Sequence, residues 1–88
     1  MKRSGLERAI RYLERVKWPK TRRAACRRVN CVEHVLCRIQ HSTPKRSPLW
    51  FALLNLEYSL RCYNRNKWEQ LRSETIELLR RKLCAISR

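Results

Sequence analysis

The sequence predicts an all-α fold, a small bundle of about four short helices, and three observations lead there. Only one of the 88 residues is glycine, which leaves few of the flexible turns that a β-rich fold needs. Hydrophobic residues make up 43% of the chain, too many for general disorder in a chain of this composition. They also recur at spacings of three and four, which places them on single faces of helices. At this length the chain forms one domain spanning 1–88, with a modest core.

Ser4-Gly5-Leu6-Glu7 reads as a capping box that opens a helix over about 5–18, with Leu6, Ala9, Ile10, Leu13 and Val16 as its apolar positions. Pro19 has no N–H to donate and disfavours helical geometry at Trp18, so the helix stops or kinks there. Thr21 is the expected N-cap of a second helix, about 21–40, whose Ala25, Val29, Val32, Val35, Leu36 and Ile39 share one face. The segment 41–48 carries two prolines and no helical period, and is expected to be an exposed linker.

Ser47 before Pro48 is a strong start signal for a third helix, about 48–63. Leu49, Leu53, Leu56, Leu60 and Tyr63 form one stripe on it, and Trp50, Phe51, Leu54 and Tyr58 form a second. Two apolar sides predict a central helix covered from both directions. Asn66 to Glu69 resembles a further capping box, opening a fourth helix over about 67–86 with Trp68, Leu71, Thr75, Leu78, Leu79, Leu83 and Ile86 on its apolar face.

Charge divides the chain. Lys and Arg total 22 against 7 acidic residues, a net +15. Residues 1–46 hold 14 basic and 3 acidic side chains, a net +11, whereas the more apolar half, 47–88, holds 8 and 4, a net +4. Seven basic residues lie between Arg15 and Arg28 with no acidic one among them. Such a balance calls for an anionic partner. Sixteen of the 22 are arginine, whose planar fork matches phosphate and stacks on bases, so the expected partner is nucleic acid, RNA ahead of DNA. The candidate contacts are Arg15, Lys17, Trp18, Lys20, Arg22, Arg23, Arg27, Arg28 and Arg38. Arg23, Arg27, His34, Arg38 and His41 fall within about 60° of one another on the second helix, opposite its apolar stripe. Arg8, Arg11 and Arg15 lie on the polar face of the first, with Glu7 four residues before Arg11 to offset it in part. Between them, Trp18 is expected either to stack on a base or to close the core. A helix-turn-helix is disfavoured because the turn after Trp18 lacks glycine.

Other functions have less support. The chain has no Asp, and glutamates such as Glu57 and Glu77 sit four residues before arginines that explain them. With no nucleophile motif or glycine-rich phosphate loop either, no enzyme and no cofactor are expected. Five cysteines, an odd number, read as free structural thiols. Cys31, His34, Cys37 and His41 span about 15 Å in one helix, too far for a single tetrahedral ion. His34, Cys37 and His41, joined by Cys62 or Cys84, are the remaining metal candidates. Thr43 and Ser47 each precede proline beside Lys45 and Arg46 and are candidate phosphorylation sites. With no signal-like apolar run and no span of about 20 apolar residues, the expected location is intracellular, cytoplasmic or nuclear, not secreted.

The composition suits an accessory regulator of a virus or phage. The alternative is a protein–protein interaction module that uses Trp50, Phe51, Leu54 and Tyr58 to dock a partner helix or a second copy of itself. Binding to an anionic membrane surface comes third.

Overall fold

A computed structural model describes residues 3–87. Four helices follow in order: α1 Arg3–Arg15, α2 Arg22–Ser42, α3 Pro48–Arg61 and α4 Arg65–Ser87, with no strand among the described residues. The all-α bundle expected from the sequence is therefore the fold. The helices close into a ring in which α1 packs on α2 and α4, and α3 packs on α2 and α4, while the diagonal pairs stay apart. Short connections at alternating ends send each helix back along its neighbour.

Apolar spacing sets the inward faces. Leu6, Ala9, Ile10 and Leu13 of α1, Val29, Val32 and Leu36 of α2, and Leu53, Leu56 and Leu60 of α3 are buried together with Trp68 and Leu79 of α4. Trp68 is the largest side chain with no exposure. Ile86, expected on the apolar face of α4, is exposed.

The caps account for the boundaries. Ala24 N donates to Thr21 Oγ1 at 3.1 Å and Trp50 N donates to Ser47 Oγ at 3.3 Å, so both expected N-caps are in place. At α1 the expected box does not form. The helix already includes Arg3, Ser4 lies inside its first turn, and Glu7 accepts from Arg3 Nε at 2.8 Å instead of capping the backbone. That pairing also takes Glu7 away from Arg11. Residues 1 and 2 lie outside the described residues. α1 ends at Arg15, three residues early: Val16 N still donates to the Tyr12 carbonyl, but 16–19 form no regular structure ahead of Pro19, which disfavours helical geometry at Trp18.

The end of α3 and the start of α4 also differ from expectation. Tyr63 takes a left-handed conformation, φ 52°, which ends α3 before it. Asn64 then becomes the cap of α4: its Oδ1 accepts from Lys67 N at 3.1 Å, which displaces Asn66 from that role. The Tyr63 conformation is held from outside. Its hydroxyl donates to the Pro19 carbonyl at 3.0 Å and its ring stacks on Trp18 at 5.0 Å. Since Trp18 also meets Trp68 at 6.2 Å, this aromatic group joins the α1–α2 connection to the α3–α4 corner.

The expectation that α3 is central and covered on both sides is overturned. In a ring of four, each helix has one side facing out. The Leu53 side of α3 faces in at 3% exposure, while Phe51, Leu54 and Tyr58 are 44%, 41% and 64% exposed. Leu53→Ala is therefore expected to cost about 2–5 kcal/mol, and Leu54→Ala well under about 1 kcal/mol, in chemical denaturation. Equal losses at the two positions would mean that the outer stripe is buried by something, such as a second copy of the chain.

Candidate nucleic-acid interface

The polar faces of α1 and α2 form the basic side of the molecule. Arg8, Arg11 and Arg15 of α1 and Arg22, Arg23, Arg27 and Arg38 of α2 are exposed, and Arg28 is half-buried. Lys17 and Lys20 are exposed in the connection between the two helices. His34 and His41 continue the outward stripe of α2. The buried residues Ala25, Val29, Val32, Leu36 and Ile39 hold the opposite face of α2 against the bundle. The cations therefore point away from the core by the same periodicity that fills it.

Carboxylates neutralise a different set of arginines. Among the described residues, five ion pairs use Arg3, Arg61, Arg72, Arg80 and Arg81. Arg61–Glu57 and Arg81–Glu77 are the pairs that i, i+4 spacing predicts, at 3.2 and 2.6 Å. Arg80 reaches across to Glu14 of α1 at 3.1 Å, and Arg72 bonds both Glu69 and the Leu13 carbonyl at 3.0 Å. Among the described residues, Arg8, Arg11, Arg15, Arg22, Arg23, Arg27, Arg28 and Arg38 make no ion pair. Both glutamates of α1 are taken by arginines outside this set, Glu7 by Arg3 and Glu14 by Arg80.

Trp18 is placed differently from the cations around it. One face of its indole is taken by Tyr63, and the ring is half-buried beside Lys17, Lys20 and Arg65 around an open hollow. It closes the aromatic corner of the fold, the second of its two expected roles. Tyr12 is the residue that sequence reasoning missed. It lines a groove between α1 and α2 with Arg8, Arg11, Arg15 and Arg28. Its position at the edge of the apolar stripe of α1 was the available signal. Which arginine of α2 it meets depends on how the helices pack.

Among the described residues, no three His, Cys, Asp or Glu side chains lie close enough to share a metal ion. His34, Cys37 and His41 do not converge, and the Cys37 thiol instead donates to the His34 carbonyl at 3.7 Å. Of the thiols expected in structural positions, Cys26, Cys31, Cys62 and Cys84 are exposed and only Cys37 is half-buried. Their places on outward helix faces explain this. Thr43 is buried, and its hydroxyl donates to the Ile39 carbonyl, so it is not offered to solvent as an exposed linker would imply. Ser47 is half-buried, with its oxygen occupied as the α3 cap. No described helix is long and apolar enough to cross a membrane.

No protein-family model, curated protein or solved structure matches this chain.

Proposed function

We propose that this protein is a small accessory factor that binds nucleic acid, RNA in preference to DNA, through the outward faces of α1 and α2. The observation that carries the reading is the set of arginines on this face that make no ion pair among the described residues, in a chain of net +15 whose carboxylates mostly serve arginines elsewhere. Unpaired guanidinium groups repel one another, and phosphates relieve that repulsion while accepting bidentate hydrogen bonds. Two helices side by side present cations to phosphates without a base-reading code, which suits structured or single-stranded RNA. Action in the cytoplasm or nucleus fits such a partner.

Titration of the protein with single-stranded RNA and with anionic vesicles, each over a range of salt, tests the reading. The expected result is tight RNA binding at low salt that weakens steeply as salt rises, with weaker vesicle binding. Vesicle binding without RNA binding would replace the proposal with membrane-surface association.

A second reading is favoured by the outer stripe of α3. Trp50 and Phe51 meet edge-on at 5.1 Å, and with Leu54 and Tyr58 they form an apolar patch facing away from the core. Such a patch suits a protein partner. Because every copy carries +15, self-association is opposed by repulsion, and a neutral or acidic partner helix is the better fit. The two surfaces lie on different helices and can act in one protein.

A further inference from the structure

Arg8, Arg11 and Arg15 of α1 and Arg28 of α2 surround an open groove of about 550 Å³ that Tyr12 and Val16 also line. Four guanidinium groups from two helices thus share one opening without a carboxylate among the lining residues. The Tyr12 hydroxyl is buried beside the Arg28 guanidinium, which can only donate to it, and its own proton has no acceptor among the described residues. Burial pushes its pKa above the ordinary value near 10, and the neighbouring Arg28 opposes that rise more weakly. The hydroxyl therefore keeps its proton at neutral pH. It is a donor lacking an acceptor, placed among cations lacking an anion.

A ligand that answers both deficits needs negative charge and several acceptor oxygens at one point. A phosphodiester has these, and arginine forks from two directions match its tetrahedral oxygens. We propose that the α1–α2 groove is a phosphate seat. It holds one backbone phosphate of a bound RNA strand between Arg11 and Arg28, and movement of the Arg28 side chain from Tyr12 onto that phosphate uncovers the hydroxyl, which then donates to a non-bridging oxygen. This inference rests on the nucleic-acid reading and adds a fixed register point to it, where the rest of the basic face acts as a diffuse field.

The test compares three variants of the full chain by fluorescence anisotropy with a labelled single-stranded RNA, after circular dichroism confirms folding. Arg11→Gln with Arg28→Gln removes the seat, and Arg23→Gln with Arg38→Gln removes the same charge elsewhere on the face. Tyr12→Phe changes no charge. Both double variants are expected to lower the salt slope similarly, with the groove pair losing about tenfold more affinity at fixed salt. Tyr12→Phe is expected to lose affinity several-fold with an unchanged slope. Equal losses in the two double variants, with Tyr12→Phe binding like the parent, would overturn the seat and leave the basic face intact. Absence of RNA binding by the parent protein at low salt would overturn the nucleic-acid reading and the seat with it.

Discussion

Trp68→Ala is expected to unfold most of the protein at room temperature. The indole is fully buried, touches Trp18 and sits in the core that α4 shares with the rest of the ring. Truncation of a buried Trp costs about 3–5 kcal/mol, of the same order as the whole stability of a domain this small. Thermal melts followed by circular dichroism would show loss of the cooperative transition. Trp68→Phe provides the control. The indole N–H has no partner among the described residues, so phenylalanine gives up no hydrogen bond and is expected to retain a cooperative melt at lower temperature. If Trp68→Ala melted like the parent, the packing described for α4 would be wrong.

The second large effect concerns charge. Replacing Arg22, Arg23, Arg27 and Arg28 together by Gln is expected to flatten the dependence of RNA affinity on salt, by about 0.7 in slope for each phosphate no longer neutralised. Affinity at low salt should fall by orders of magnitude. Stability is expected to hold or rise, because Arg22, Arg23 and Arg27 are exposed, none of the four makes an ion pair among the described residues, and their mutual repulsion disappears. A variant that folds and keeps the parental affinity and slope would remove the α1–α2 face as the binding surface.

Local chemistry made much of this fold legible in the sequence. Thr21 and Ser47 cap because a hydroxyl beside the first turn has an orphan amide to satisfy, and each sits directly before an apolar period. The inward faces followed from the same periods. What failed depended on neighbours. The Trp50 stripe reads as core by composition, yet a ring of four helices has no fifth layer to cover it. The cap of α4 moved from Asn66 to Asn64 because Tyr63 bonds Pro19, which lies 44 residues away along the chain. The early end of α1 likewise allows Trp18 to turn onto Tyr63.

The candidate interface was legible to a similar depth. Arg23, Arg27 and Arg38 lie where a 3.6-residue period puts them, opposite the valines of α2. The meeting of Arg28 with Tyr12 and Arg11 was hidden, because a helical wheel fixes the faces of one helix but not the angle at which the next one lies. The freedom of Arg11 was hidden too. Glu7 is four residues from both Arg3 and Arg11, and the structure gives it to Arg3.

Residue-resolved NMR of the uniformly labelled protein during titration with a short single-stranded RNA addresses the claimed surface most directly. Amide shifts are expected to concentrate in residues 8–38, with the largest around Tyr12 and Arg28, and to leave Trp50 to Tyr58 unmoved. Shifts centred on Trp50, Phe51, Leu54 and Tyr58, or none at all at low salt, would contradict nucleic-acid binding by the α1–α2 face.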